Sequence, residues 1–105
     1  IRKAKDLLNL GVALMTTLTV QHTVADYDQW KEAFDSNEPA RRSHGASQHR
    51  VLRDGTDLLI LIEFPDAAQA QSFGSDPSLT EAMGRAGLQG APDIAFRSDA
   101  ESVVY

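Results

Sequence analysis

The sequence predicts an α+β domain of the ferredoxin-like class, a four-stranded antiparallel sheet with its helices on one face. Three observations lead to this prediction: an alternating strand pattern that starts at residue 16, an Asp54-Gly55 turn signal between two strand-like segments, and helix caps before both helical regions. Together they give the order β-α-β-β-α-β, the split βαβ arrangement. At 105 residues, 42% of them hydrophobic, the chain suits one domain with one core.

The first strand is predicted at 16–24, because apolar and polar residues alternate there as in a strand with one buried face. Its core face carries Leu18, Val20, His22 and Val24. Asp26 then caps a helix. The core-facing stripe of this helix consists of Tyr27, Trp30, Ala33 and Phe34. The helical region is predicted to continue, bent at Pro39, as far as Ser43, and Gly45 supplies a left-handed stop.

The central hairpin is predicted from two strand-like segments around a turn signal. Residues 46–53 form the second predicted strand, and Asp54-Gly55 favours a tight turn. Residues 57–64 are nearly all apolar, which predicts a third strand at the centre of the sheet with both faces covered.

The second half of the sequence repeats the plan of a helical region followed by a strand. Asp66 caps a short helix, and Asp76-Pro77 begins another that ends at Gly87. The first of these helices is predicted to run through Ala67, Ala68, Ala70 and Phe73. In the second, the residues predicted to face inward are Leu79, Ala82, Met83 and Ala86. The last strand is predicted at 93–104, and the alternation there places Ile94 and Phe96 on one face.

The sheet face without helices determines the predicted assembly. By alternation it carries Leu59 and Leu61, together with Glu63 and Arg97. This face is too apolar at its centre for comfortable solvation and too polar for a sealed core. A second copy of the chain would bury the two leucines and give the charged residues partners, so we predict a homodimer.

Composition excludes several classes of function. The net charge of −5 argues against a general nucleic-acid partner, because binding phosphates requires a basic face. The sequence contains no cysteine, which excludes disulfides, thiolate metal sites and cysteine nucleophiles. We expect a cytoplasmic protein with no membrane partner.

The first residues form a predicted N-terminal extension, 1–15, in front of the ferredoxin-like domain at 16–105. Their basic start and apolar run resemble a secretory signal, but Asp6 and Asn9 interrupt the run, and the spacing fits a short amphipathic helix better. The run is also shorter than the roughly 20 apolar residues that span a membrane. A leader, a linker and a fusion remnant remain open, with Met15 as one candidate for the original start.

A candidate small-molecule site follows from the predicted core face, where His22 is the ionisable residue. The side chains predicted to close over it, and to bind the substrate, are Trp30, Phe34, Phe73 and Met83. An apolar, aromatic cavity with one convergent polar group is a common design for ligand sites. A histidine there can act as general base on a phenol or an enolisable polyketide. The alternative is a structural histidine that hydrogen-bonds to a Tyr, a Thr or a backbone carbonyl.

The other histidines are interpreted as structural. His44 follows Arg41 and Arg42 at the end of the helical region, where cations meet the negative end of the helix dipole, and His49 lies on a predicted edge strand. A metal site is not expected, because ferredoxin-like order separates the strands that carry His22 and His49. No cofactor is expected either, since no glycine-rich loop lies between a strand and a helix.

Several segments resemble one known superfamily. They are Asp26-Tyr-Asp-Gln-Trp-Lys-Glu-Ala-Phe34 after a short strand, His44-Gly45, Val51-Leu-Arg-Asp-Gly55, the apolar strand ending in Glu63-Phe64, and Ser78-Leu-Thr-Glu-Ala-Met83 with Gly87. In this pattern the sequence is similar to the dimeric α+β barrel superfamily, and most of all to its small bacterial cyclase-like or antibiotic-biosynthesis-monooxygenase-like proteins. The resemblance covers 16–104.

The resemblance implies a dimer with a pocket in each subunit between sheet and helices. The superfamily includes cofactor-free monooxygenases, polyketide cyclases, haem-degrading enzymes, lactone isomerases and proteins with no known reaction, so fold alone does not give the activity. One hypothesis is a cofactor-independent enzyme on an aromatic or polyketide-like compound, in which His22 and Tyr27 handle protons while Trp30 and Phe73 stack on the ligand. The alternative is a non-catalytic dimer that binds a small apolar molecule or serves as a scaffold.

Overall fold

The computed structural model describes residues 15–105, so the helix expected at 1–14 lies outside the described residues. The elements are β1 (Thr16–Val24), α1 (Tyr27–Ser36), α2 (Glu38–Ser43), β2 (Gln48–Asp54), β3 (Asp57–Phe64), α3 (Ala67–Gly74), α4 (Pro77–Arg85) and β4 (Leu88–Arg97). Within 15–105, no helix combines the length and the apolar character that crossing a membrane requires.

The sheet confirms the predicted ferredoxin-like topology. All neighbouring strands are antiparallel, in the order β2-β3-β1-β4. β1 and β3 occupy the centre, and their register places Leu18 opposite Ile62 and Val20 opposite Ile60. This register puts the apolar residues of both strands on the same face, under the helices, where they form the core.

Each helical region consists of two short helices, and their starts agree with the sequence. The side chains of Asp26 and Asp66 accept hydrogen bonds from the backbone N–H groups of Gln29 and Gln69, as N-cap residues do. Asp76 caps α4 in the same way, through Ser78. α2 begins with a proline in its first turn, where the missing N–H has no helical partner to lose.

The central hairpin is present as predicted, but its first strand starts at Gln48 and not at residue 46, and its turn is displaced. Asp54 and Asp57 pair across the strands, so the two-residue loop is Gly55-Thr56, one residue later than the turn signal suggested. Gly55 has a φ of 60°, a left-handed conformation that glycine adopts without strain. The predicted left-handed stop at Gly45 is confirmed by its φ of 90°.

The last strand differs from the prediction of 93–104, because β4 starts at Leu88 and ends at Arg97. A register shift in its pairing with β1 explains why the sequence concealed the early start. Gln21 pairs with Asp93 and Thr23 pairs with Gln89, so residues 90–92 of β4 bulge opposite one residue of β1, which is His22. A glycine and a proline in this bulge resemble loop residues in the sequence.

The two faces of the sheet differ in how well they are covered. Ile94 and Phe96 share the helix-facing side, as predicted, but both are about two-fifths exposed because β4 is an edge strand. On the opposite face, Leu59 and Leu61 are only half-buried. The prediction that both faces of β3 are covered is therefore wrong for the single chain. Leu52 lies beside Leu59 on this open face and is itself exposed.

Candidate functional site

A cavity of about 40 Å³ lies between the central strands and the helices. Its lining comprises Val20, His22, Ile60 and Ile62 from the sheet, and Trp30, Phe34, Asn37, Arg41, Phe73, Leu79, Ala82, Met83 and Ala86 from the helical layer. This space is enough for about three water molecules. It is smaller than the roughly 300 Å³ or more that a drug-sized ligand occupies, so a larger ligand requires the wall to move.

His22 lies two residues before the C-terminal end of β1, with its side chain toward the helices. The residue is 8% exposed, and neither ring nitrogen has a hydrogen-bond partner within residues 15–105. Burial lowers the pKa of His22 from its ordinary value of 6.5, since the charged imidazolium would lose its hydration there. The ring is therefore neutral at neutral pH, with one N–H donor and one free acceptor nitrogen.

The sequence-based alternative of a satisfied structural histidine does not agree with this geometry. Tyr, Thr and backbone carbonyl groups were the expected partners, and within the described residues none of them bonds the ring of His22. The bulge of β4 lies directly opposite His22, in the stretch where the ladder between β1 and β4 loses its regular pairing. Bulges of this kind are frequent beside functional sites because they change the direction of side chains.

Aromatic rings connect His22 to the helices. Its imidazole meets Trp30 in a T-shaped arrangement at 6.1 Å between ring centroids, and Trp30 stacks on Phe34 at 4.8 Å with an angle of 18° between the planes. The predicted ligand-binding residues Trp30, Phe34, Phe73 and Met83 all line the cavity. The structure therefore brings together five of the six predicted site residues.

Tyr27 is the sixth, and it does not line the cavity. Its ring contacts Trp30 at 5.6 Å, and the guanidinium of Arg53 lies 4.1 Å from the centroid of the Tyr27 ring. Tyr27 is one turn before Trp30 on the stripe of α1, so it contacts the tryptophan from outside. The predicted pairing of Tyr27 with His22 in proton transfer has no direct geometric support.

Two cavity residues, Asn37 and Arg41, were not predicted as site residues. Both are buried, and the amide of Asn37 donates a hydrogen bond of 3.1 Å to the Ser78 hydroxyl. The sequence did contain a signal, because positions 30, 34, 37 and 41 continue the helical stripe at intervals of three and four. Arg41 was instead interpreted as part of the helix-end basic cluster.

The other two histidines lie away from the cavity lining. Nε2 of His44 lies 2.7 Å from Oδ2 of Asp76, which joins the end of α2 to the start of α4. Hydrogen bonds from His44 and Ser78 lower the pKa of Asp76 to about 2. His49 is exposed on the edge strand β2 and meets the ring of Phe34 edge-on at 5.0 Å. Within residues 15–105 no group of three possible metal ligands occurs.

The fold and site define a ferredoxin-like α+β protein with an apolar cavity under its helices. Several solved structures share this fold, and three of them match it with a probability of 1.00. No family model matches the chain, and no curated protein matches it in sequence.

Three of the similar structures illustrate the likeness. SnoaB, a cofactor-independent oxygenase from Streptomyces nogalater, has a TM-score of 0.74 and 12% identity, covering 87% of this chain and 98% of that chain. The ActVA-Orf6 monooxygenase of Streptomyces coelicolor, in complex with the ligand nanaomycin D, has a TM-score of 0.66 and 17% identity, covering 89% and 94%. NE2512 of Nitrosomonas europaea, a protein of unknown function, has a TM-score of 0.69 and 17% identity, covering 90% and 98%. At these low identities the TM-scores show a shared fold, the ferredoxin-like architecture.

Proposed function

We propose that this protein is a cofactor-independent oxygenase that acts on a hydroxylated aromatic or polyketide-like compound bound under its helices. The observation that carries the proposal is His22, a buried, neutral imidazole with both nitrogens unpaired within residues 15–105, on the wall of an aromatic cavity. A buried polar group without a partner destabilises a fold by about 1–3 kcal/mol. A ligand that exchanges a proton with His22 explains why the chain retains it.

The proposed reaction uses His22 as the general base. Its neutral ring nitrogen accepts a proton from a CH₂ group that a neighbouring phenol or carbonyl activates, and the resulting carbanion is stabilised by the aromatic system. The carbanion combines with O₂ and a proton to form a hydroperoxide, which loses water to leave a carbonyl. One oxygen atom remains in the product, the other leaves as water with both substrate hydrogens, and the substrate supplies all four electrons.

The comparisons support this proposal only through the fold. SnoaB is described as a cofactor-independent oxygenase and ActVA-Orf6 as a monooxygenase with a bound ligand, and both are similar to this chain in architecture. The same architecture carries several chemistries, so the function proposed for this chain depends on the residues of its own cavity.

Entry of an aromatic substrate requires the cavity to widen. Leu79 and Met83 of α4 are half-buried members of its wall, whereas the sheet side of the cavity is held by the ladders of β1 and β3. Methionine has a flexible side chain that adapts to differently shaped neighbours. We therefore expect α4 to move outward when substrate binds.

We also propose that the protein is a homodimer paired through the open sheet face, as the apolar residues there suggest. Leu59 and Leu61 are half-buried, and Leu52 extends the same patch on β2. Replacing Leu61 by Asp would place a charge in this interface, so sedimentation should then show a monomer. A wild-type protein that sediments as a monomer would refute the assembly. The dimer is placed in the cytoplasm, with which the absence of cysteine is compatible.

The proposed function is tested by turnover with a panel of quinols, anthrones and naphthols under ¹⁸O₂. We expect oxygen consumption, and one labelled oxygen atom in the product. His22→Ala should lower kcat/KM by roughly 10²–10⁴-fold, the usual contribution of a general base. His49→Ala, on an exposed edge strand, is the matched control and should retain turnover. Equal turnover by wild type and His22→Ala would exclude His22 as the base.

The small size of the cavity favours a second candidate, a non-catalytic dimer that binds small apolar molecules. A volume of about 40 Å³ suits a compact ligand better than a polycyclic one. In that case the panel should quench the emission of Trp30, the one tryptophan of the sequence, without consuming oxygen.

A further inference from the structure

Arg41 is a buried cation whose guanidinium is only partly paired. The residue is 3% exposed, and its Nη1 donates a hydrogen bond of 2.7 Å to the backbone oxygen of Phe34. Its Nη2 is buried and has no partner within residues 15–105. Because Nη1 is held by the backbone, the orientation of the guanidinium is constrained, and Nη2 lacks an acceptor among the described residues.

The charge of Arg41 is also uncompensated at close range. The ion pairs of the described residues include Arg42 with Glu38 and Lys31 with Asp35, but none with Arg41. Burial lowers the pKa of Arg41, while the more distant carboxylates of Glu38 and Asp35 act in the opposite direction. A buried charge is costly unless it is paired, so this position favours an anion in contact with Nη2.

The surroundings of Arg41 determine what kind of anion fits. Its guanidinium carbon lies 3.8 Å from the centroid of the Phe34 ring, and Phe34 in turn stacks on Trp30. Trp30 makes a T-shaped contact with His22, so His22 and Arg41 lie at the two ends of one series of contacting rings. All four residues line the same cavity. A planar aromatic body with one negatively charged group matches this arrangement.

We propose that the cavity recognises an aromatic carboxylate, whose carboxylate oxygen accepts a hydrogen bond from Nη2 of Arg41 while its ring lies against Phe34 and Trp30. The inference rests on the proposed function insofar as both require a ligand in this cavity, and it adds the acidic group of the substrate. Charge-assisted hydrogen bonds of this type are stronger than neutral ones, so a carboxylate is preferred over an uncharged group of the same shape. Arg41 would then set specificity, and His22 would remain the base.

The experiment compares benzoate with benzamide, which have nearly the same shape and differ in charge. Binding is followed through the emission of Trp30, the single tryptophan, with excitation where neither compound absorbs. We expect wild type to bind benzoate roughly tenfold more tightly than benzamide, the ratio expected for one charged hydrogen bond. Arg41→Gln keeps a polar side chain but removes the charge, and should abolish the preference.

Arg42→Gln is the matched control. Arg42 is the next residue on the same helix, and its side chain is 76% exposed, so this variant should keep the wild-type preference. If Arg41→Gln does not fold, Arg41→Lys replaces it in the test. This variant retains the charge and should keep part of the preference for benzoate. The comparison of the two compounds on wild type needs no variant at all.

The outcomes separate this inference from the proposed function. Equal affinities for benzoate and benzamide, or a preference that survives Arg41→Gln, would overturn the anion site. Neither result would contradict the proposed oxygenase function. Failure of both compounds to bind, with an oxygen-consuming panel compound that does bind, would also overturn it. Conversely, a preference for benzoate, together with no oxygen consumption with any compound of the panel, would support the anion site and refute the oxygenase function.

Discussion

Two regions of this domain contain a buried or half-buried histidine, and they treat it in opposite ways. In the seam, defined as the contact of His44 after α2 with Asp76 before α4, the imidazole has a carboxylate partner at 2.7 Å. In the cavity, His22 has no partner for either ring nitrogen within residues 15–105, and Arg41 leaves Nη2 unpaired there.

The difference teaches which histidine stabilises the fold and which serves a ligand. Buried polar groups in folded proteins are nearly always hydrogen-bonded, because an unpaired one costs free energy. The seam follows this rule and connects two helices. The cavity violates it at two residues, one on its sheet side and one on its helical side, and departures from the rule concentrate at functional sites. Variants that exchange stability for function should therefore be found in the cavity and not in the seam.

The largest expected effect comes from Phe73, the side chain that belongs to both regions. It is fully buried, lines the cavity, packs on Phe64 at 5.6 Å and meets the ring of His44 at 6.0 Å. Phe73→Ala should lower the free energy of unfolding by about 3–5 kcal/mol, the usual cost of emptying an aromatic core position. Urea unfolding measures this change. Phe96→Ala, at a two-fifths exposed edge position, is the control and should cost far less.

The next effect is a change in the free energy of unfolding that has opposite signs in the two regions. His22→Leu replaces an unpaired buried polar group by an apolar one, so it should raise the free energy of unfolding by about 1 kcal/mol. His44→Leu removes the partner of Asp76 and should lower it. Both changes are measured by urea unfolding at neutral pH. A destabilised His22→Leu variant would mean that the imidazole does have a stabilising partner.

Acid should increase the difference in the free energy of unfolding between wild type and His22→Leu. Burial lowers the pKa of His22 in the folded state below 6.5, so the unfolded chain binds more protons as the pH falls through that value. Wild type therefore loses stability on acidification below 6.5 through this residue, and the leucine variant does not. A difference independent of pH would show that the pKa of His22 is not lowered.

Most of the fold could be predicted because its signals are local. The caps Asp26, Asp66 and Asp76 each act within three residues of themselves, and the alternation of β1 and the apolar run of β3 are properties of each segment alone. β4 was misplaced because its start depends on pairing with β1 across a bulge. Nothing within residues 88–92 alone indicates that a strand with Gly90 and Pro92 continues on the far side of that bulge.

The candidate site could be predicted in composition but not in chemistry. Alternation and helical stripes identify His22, Trp30 and Phe73, because each faces the core from a regular element. Arg41 was missed because its charge suggested a helix end, although its spacing placed it on the stripe. Whether a ring nitrogen is paired depends on distant neighbours, so no sequence pattern reveals it.

A smaller effect is expected from the charge of the seam. Hydrogen bonds from His44 and Ser78 lower the pKa of Asp76 to about 2 from its ordinary value of 3.8. The stability from this carboxylate is therefore present above 3.8 and lost as the pH falls through about 2. Asp76→Asn keeps an N-cap oxygen for α4 but removes the charge.

Thermal unfolding across this acidic range measures the effect in the seam. Wild type should be the more stable protein near neutral pH, and the difference should shrink as the pH falls toward 2. Asp66→Asn, at the cap of α3, is the matched control, because Asp66 accepts its hydrogen bond from Gln69 alone. A difference in thermal stability between wild type and Asp76→Asn that does not change with pH would show that the charge of Asp76 does not stabilise its contact with His44.

The smallest effect is spectroscopic, and it distinguishes the two histidines through the emission of one tryptophan. Trp30 is the one tryptophan, and its ring lies 6.1 Å from His22, whereas the aromatic neighbour of His44 is Phe73. A protonated imidazole quenches indole emission more than a neutral one, so the emission of Trp30 should fall on acidification, with a midpoint below 6.5 because burial lowers the pKa of His22. His22→Leu should remove this transition and His44→Leu should keep it. If the transition survives in His22→Leu, another group titrates beside Trp30, and the neutral imidazole on which the proposed proton transfer depends loses its support.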